Sequence, residues 1–253
     1  LRLLACVHHP GYMYTKTNGE KLLKQTNTTY TYNFYQNVKF SIEKEENYSK
    51  GKNDNDYPIL RYGEVLLNYA EAQAELGNGN LSKEDWDKTI GLLRARAGVA
   101  NIYPDGAWDC GWLKAYYGNL SNILTEIRRE RTVELLAEGL RVQDLYRWKL
   151  GPRIVERQTN NQGWQGVWVP KDQVAGMMYN GGKYTFTAGE PDAPGFGYNV
   201  SGSTADQNHS FSEGDHGFLI YNYKLEWNDK MYVRPIPQTA LNVNKNLVQN
   251  YGW

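Results

Sequence analysis

The stretch that decides the fold is Ile127-Arg-Arg-Glu-Arg-Thr-Val-Glu-Leu-Leu-Ala-Glu-Gly-Leu-Arg-Val-Gln-Asp-Leu-Tyr-Arg-Trp148. It reads as a long helix from about Ser121 through Ile127 to Gly139, then a shorter one from about Arg141 to Trp148. Gly151-Pro152 ends the helical zone. Glu134 and Glu138 stand four residues apart, on one face and about 5–6 Å from each other at Cβ. Two carboxylates at that separation would suit a retaining glycosidase. Arg131, three residues before Glu134, and Arg141, three after Glu138, argue the other way, with Arg128 and Arg129 on the same turns. A neighbouring arginine lowers a carboxyl pKa, the wrong direction for a general acid. Arg128, Arg131, Glu134, Glu138, Arg141 and Asp144 are therefore expected to form a structural ion-pair network that pins the helix to its neighbours.

Upstream, residues 59–77 read as a helix. Tyr62, Leu66, Tyr69 and Gln73 lie along one face, with Val65, Ala72 and Leu76 beside it, and Gly77-Asn78 is a stop. A second helix starts at Ser82, whose spacing to Asp85 is a capping-box variant; Trp86, Ile90, Leu93 and Ala97 follow at helical spacing and Gly98 ends it. Ala70, Ala72 and Ala74 allow close approach, so the pair is expected to form a tetratricopeptide-like hairpin. One such unit does not bury its face alone and needs neighbours. Residues 101–120 hold Trp108, Trp112, Tyr116 and Tyr117 in a loop or short helix.

The flanks are less regular. Residues 153–231 are Gly-rich and irregular, a long stretch of the kind that is functional, mobile or pinned by a partner. Thr239 to about Asn244 is a single helical turn. In residues 1–56, Tyr30, Tyr32 and Phe34 alternate with polar residues, as do Val38, Phe40 and Ile42, which predicts two short strands. The organisation is thus a loop and strand segment (1–56), a helical core (57–152) and a loop-rich cap with a C-terminal tail (153–253). The fold class is mainly α with extensive loops and a few short strands.

The 253 residues carry 28 basic and 28 acidic side chains, so nothing in the overall charge draws the chain to nucleic acid. Mean hydropathy is −0.70, and no run approaches the roughly 18 apolar residues of a membrane helix. Cys6 and Cys110 do not make a disulfide-dense scaffold. Leu3-Leu4-Ala5-Cys6 has the look of a lipoprotein signal end, but lacks the basic start and the apolar stretch of about 7–15 residues that a signal needs. Cys6 is expected to be a small buried residue in an extended segment.

Four segments in order resemble the SusD/RagB family of outer-membrane nutrient-binding lipoproteins. They are Tyr57-Pro-Ile-Leu-Arg-Tyr-Gly-Glu-Val-Leu-Leu67, Leu93-Arg-Ala-Arg-Ala-Gly98, the run Ile127–Trp148, and Arg234-Pro-Ile-Pro-Gln238 continuing to Asn250. Ala137 and Val142 stand where that family often carries aromatic residues. The resemblance is to the C-terminal half of such a protein. It implies a lipid anchor and an N-terminal half preceding Leu1, a location on the outer membrane facing out, and capture of glycan, or of peptide in some members. It also implies a partner, a SusC-like TonB-dependent transporter, over which the protein lies as a lid.

Other chemistry is thin. His209, Glu213, Asp215 and His216 match no metal-site spacing and read as a polar loop. Asn53-Asp-Asn-Asp56 offers oxygens to calcium but lacks the Gly and the terminal Glu of an EF-hand loop, so it reads as a turn and helix entry. No cofactor is expected, a structural calcium there being the sole alternative. The rings carry more. Twenty Tyr and eight Trp against six Phe favour rings with a polar handle. Sugar C–H faces stack on flat Trp and Tyr while Asn, Asp and Arg bond hydroxyls. Three ring-rich zones compete, and the third runs from Trp164 and Trp168 to Trp227. The resemblance ranks the first two higher, so Trp108, Trp112, Tyr12, Tyr14 and Tyr35 are the expected ligand-binding residues. The expected function is non-enzymatic binding of oligosaccharide or polysaccharide for uptake. The alternatives are a peptide-binding member of the same family, a helical-repeat protein scaffold, or a glycoside hydrolase using Glu134 and Glu138.

Overall fold

The computed structural model describes residues 2–7, 13–23, 26–27, 37–41, 44, 56–108, 110–155, 164–169, 177–179, 183–186, 198–201, 209–213, 216–221 and 226–253. A short helix α1 (Arg2–Cys6) leads into a hairpin of β1 (Met13–Thr15) and β2 (Lys21–Leu23), followed by β3 (Thr26–Asn27). Cys6 is buried, but it lies in α1 rather than in an extended segment. Residues 38–41 turn instead of running as a strand. The Ser41 N–H donates to the Val38 carbonyl at 3.0 Å, and Phe40 takes a left-handed φ of 63°. The alternating run from Tyr30 to Phe34 lies outside the described residues.

The helical core is built as the periodicity requires. Arg61 stays extended and α2 (Tyr62–Leu76) follows, burying Leu66, Leu67, Ala70 and Ala74. It ends at Gly77, and Gly79, at φ 89°, returns its N–H to the Ala74 carbonyl at 2.7 Å. The return helix runs as α3 (Lys83–Trp86), one π-helical turn (Asp87–Gly91) and α4 (Leu92–Arg96). Ser82 caps it by accepting from the Asp85 N–H at 3.0 Å, the role its spacing implied. Trp86 is fully buried, donates from Nε1 to Asn101 Oδ1 at 2.8 Å, and meets Tyr103 edge to face at 5.7 Å. Then come α5 (Gly111–Tyr117), α6 (Asn122–Glu134) and α7 (Arg141–Arg147). Ile123, Leu124 and Ile127 of α6 close the core against α2 and α4, while Leu113, Tyr117 and Trp148 form a second apolar cluster.

The decisive helix stops at Glu134, not at Gly139. Ala137 and Gly139 both take positive φ, 63° and 80°, which α-helix excludes. The freed carbonyls are taken by side chains. Lys39 Nζ donates to the Glu134 and Leu136 carbonyls at 2.7 and 3.2 Å, and Arg61 Nη2 to that of Glu134 at 2.8 Å. Cations at a helix C-terminus also suit its dipole.

Beyond a 3-10 turn (Gly151–Ile154), the described strands form two sheets. β4 (Trp164–Val169) pairs with β9 (Gly217–Tyr221), and β8 (His209–Phe211) adds to β9, all antiparallel. β5 (Met177–Tyr179), β6 (Lys183–Phe186) and β7 (Tyr198–Ser201) form an antiparallel ladder, to which β3 adds in parallel. A 3-10 turn (Asp229–Tyr232) and helix α8 (Gln238–Val243) complete the chain. Trp227, Tyr232 and Tyr146 cluster edge to face and tie this tail to α7. Gly151 lets Trp227 approach: a Cβ there would sit 2.0 Å from the indole. Among the described residues no helix is long and apolar enough to cross a membrane.

Candidate functional site

The charged residues of α6 face three neighbouring elements. Arg131 Nε donates to both carboxylate oxygens of Asp144 on α7 at 2.9 and 2.8 Å, and its Nη1 reaches Asn68 Oδ1 on α2 at 2.6 Å. Arg128 makes a looser pair with Glu75 at 3.4 Å and lies 4.7 Å from the Trp148 ring centroid. Burial pushes the Arg128 guanidinium below its ordinary pKa, and the carboxylates of Glu71 and Glu75 offset only part of that. Arg141 forms no ion pair among the described residues; it donates to Thr132 Oγ1 at 2.7 Å and to the Tyr116 hydroxyl at 2.9 Å.

Glu134 and Glu138 are paired with residues other than Arg131 and Arg141. Arg61 donates from Nη1 to Glu134 at 2.7 Å, and from Nε and Nη2 to the two oxygens of Glu138, both at 2.7 Å. Arg96 also donates to Glu134, and Lys39 to Glu138. Burial pushes the Glu138 carboxyl up, but the hydrogen bonds and charges of Arg61 and Lys39 outweigh it and hold the pKa below the ordinary value. Gly63 makes room for this arrangement, since a Cβ there would meet Arg61 Nη1 at 2.5 Å. A cavity of about 640 Å³ opens beside it, lined by Cys6, Phe40, Arg61, Arg96, Val133 and Glu134.

Sequence reasoning missed several members of this array. Arg94 is buried to 2 % exposure, with its guanidinium 5.2 Å from the Trp86 ring. It bonds Glu126, Glu130 (2.9 Å) and the Ile102 carbonyl (2.9 Å). Glu71 accepts from Arg147 at 2.7 and 2.6 Å and from Trp148 Nε1 at 2.6 Å. Burial raises the Glu71 carboxyl, and these donors more than reverse that. The signal was present: Arg94 adjoins Leu93 on the apolar side of α4, and Glu71 adjoins Ala70 on that of α2, where a lone charge demands a buried partner.

The ring residues separate. Trp112, in the first turn of α5, is 70 % exposed. Trp108, four residues earlier, packs against the Leu113, Tyr117 and Trp148 cluster and is partly buried. Its loop is pinned by Asn122 Nδ2, which donates to the Asp105 and Trp108 carbonyls at 2.7 and 2.8 Å. Beneath that loop Asn80, Tyr103, Asp105 and Asn122 line a cavity of about 280 Å³. Tyr14 belongs to β1, while Tyr12 and Tyr35 lie outside the described residues. Of the candidate calcium segment only Asp56 is described. Among the described residues no three His, Cys, Asp or Glu side chains come together to hold a metal.

The fold has relatives of known structure. A SusD-like protein from Bacteroides fragilis superposes with a TM-score of 0.61 at 19% identity, covering 100% of this chain and 38% of its own. BT4246, in native and selenomethionine forms, gives TM-scores of 0.56 at 19% and 18% identity, covering all of this chain and 36% and 37% of its own. This chain therefore spans little more than a third of the length of the structures it matches. No curated protein matches it. The model of the SusD family matches residues 9–253, nearly the whole sequence. The helical fold agrees with that match, and the chain belongs to the SusD family.

Proposed function

We propose that this chain is the C-terminal part of a cell-surface glycan-binding protein that delivers oligosaccharide to a SusC-like TonB-dependent transporter in the outer membrane. Its N-terminal half and lipid anchor belong to the same polypeptide, ahead of Leu1. Membership of the SusD family supports the nutrient-binding part of this reading. The observation that carries the glycan part is Trp112, an indole 70 % exposed on a short helix, where a Trp without a ligand gains little. The rings of Tyr12, Tyr14 and Tyr35 and the loop of Trp108 complete the proposed site. The role is binding rather than hydrolysis. Burial raises the Glu138 carboxyl, but Arg61 and Lys39 outweigh it and hold it below its ordinary pKa, the wrong direction for a general acid.

Calorimetric titration with oligosaccharides of increasing length tests the reading. Affinity should rise with length as more rings engage one polymer, and Trp112→Ala should weaken it about fivefold, the worth of one stacked ring. Salt should matter little, because stacking and neutral hydrogen bonds are not screened. A reducing-sugar assay should detect no release. Unchanged binding by Trp112→Ala, or binding of peptide in place of glycan, overturns it.

A further inference from the structure

The cavity of about 280 Å³ beneath the Trp108 loop is walled by the turn after α2 (Gly79 and Asn80), the loop from Tyr103 to Gly106, and the start of α6 (Ser121 to Ile123). Small-molecule sites begin at about 300 Å³, so it takes one unit of a chain rather than the chain. The side-chain donors that line it are turned onto backbone carbonyls. The Tyr103 hydroxyl donates to Leu81 at 2.6 Å, Ser121 Oγ to Gly79 at 2.6 Å, and Asn80 Nδ2 to Gly77 at 3.2 Å. Asn122 Nδ2 donates to both Asp105 and Trp108. The amide oxygens of Asn80 and Asn122 then receive no hydrogen bond among the described residues. The Asp105 carboxylate receives one, from the Ala107 N–H at 3.0 Å. Asn80 and Asp105 are exposed and Asn122 is half-buried.

Asp105 is the one charged side chain among the described residues that line this cavity. The start of α6, at the same cavity, leaves the N–H groups of Asn122 and Ile123 without partners inside the helix and brings the positive end of its dipole. Each feature excludes what the other alone would take. A carboxylate repels the anion that a helix N-terminus attracts, and the positive helix end opposes the cation that clustered oxygens attract. A hydroxyl suits both, because it donates to the oxygens and accepts from the N–H groups. Tyr103 and Pro104 supply an apolar wall beside them, as the C–H face of a sugar requires.

We infer that this cavity is a subsite for one uncharged sugar unit, whose hydroxyls bond Asn80, Asp105 and Asn122, and that it disfavours a unit carrying an acidic group. The inference deepens the glycan-binding reading and rests on it. Calorimetry on the 253-residue chain tests it with maltotetraose, cellotetraose and galactotetraose, each beside the same oligosaccharide with its C6 hydroxyls oxidised to carboxylates. A neutral form should bind at least about tenfold tighter than its oxidised partner. Asp105→Asn keeps the oxygen that accepts from Ala107 and removes the charge, so it should bring the two forms within about threefold of each other. Asn80→Ala alters an exposed side chain and should weaken the neutral form about fivefold with unchanged circular dichroism. Trp112→Ala should weaken both forms alike and leave their ratio unchanged. An oxidised form that binds the parent as well as its neutral partner, a neutral preference that survives Asp105→Asn, or a neutral form that binds Asn80→Ala like the parent overturns the inference and leaves the glycan reading standing. Absence of binding by every oligosaccharide overturns both. Calcium binding to the parent that Asp105→Asn abolishes assigns the cavity to a cation, and overturns the inference equally.

Discussion

Arg61 forks onto Glu138 across 77 residues of sequence, Nε to Oε2 and Nη2 to Oε1, both at 2.7 Å. The same guanidinium reaches the Glu134 side chain and its carbonyl. One planar group thus fixes the start of α2 against the end of α6 and satisfies a carbonyl the helix left free. Lysine has no second donor plane with which to do this.

Arg61→Ala should therefore cost about 3–5 kcal/mol in urea denaturation, because two largely buried carboxylates lose a shared partner. Arg61→Lys should recover the charge but not the fork, and fall between the two. Equal stability of Arg61→Lys and the parent would show that charge alone suffices.

The pH dependence follows from Glu71 and Glu138, whose folded carboxyls are held below the ordinary range by Arg147 and Trp148, and by Arg61 and Lys39. In the unfolded chain both titrate near 4.3. Between that value and the lowered folded ones, the unfolded state binds the protons and the native state does not. Their contribution is complete above about pH 4.3–5 and is lost as pH falls through the folded values. Melting temperature should fall steeply on acidification, and Glu138→Gln should be less stable at pH 7 yet show a shallower acid slope. A parent and variant with parallel acid slopes would remove Glu138 from this account.

The contrast between Glu134 and its partners shows where sequence reading works. Periodicity located α2, and the Ser82 cap located α3, because both signals are local. The expected partners, Arg131 three residues before Glu134 and Arg141 three after Glu138, were local guesses as well. The actual donors to Glu134, Arg61 and Arg96, are 73 and 38 residues away, and only tertiary packing brings them there. The helix end was misread for a related reason: Leu135 to Glu138 have helical composition, and the side chains that claim the carbonyls come from Arg61 and Lys39. Trp108 and Trp112 looked equivalent in composition. Their burial differs because one precedes α5 and folds under it while the other rides on its first turn.

Gly151 offers a test of how the tail is held. A Cβ at this position would lie 2.0 Å from the Trp227 ring, which no small adjustment relieves. Gly151→Ala should displace Trp227 from Tyr146 and Tyr232, cost about 1–3 kcal/mol and reduce the aromatic circular dichroism signal. An unchanged aromatic signal would mean that the tail docks through other contacts.

Three tryptophans should rank by burial when each is replaced by alanine. Trp86 has no exposed surface, a hydrogen bond to Asn101 and Arg94 against its ring, so Trp86→Ala should cost about 3–5 kcal/mol. Trp108 is only partly buried against Leu113, Tyr117 and Trp148, and its loss should cost about 1–2 kcal/mol. Trp112, 70 % exposed, should change stability by less than about 0.5 kcal/mol. The ranking bears directly on the ring site, because a side chain kept for a ligand contributes to binding and little to folding. Urea denaturation of the three variants reads it. If Trp112→Ala unfolds as readily as Trp108→Ala, the exposed indole is packing against the protein in solution and is no platform for a sugar. If instead Trp112→Ala melts with the parent while Trp86→Ala does not fold, the indole of Trp112 is free to serve a ligand, and the calorimetric titration becomes a clean measure of what it contributes.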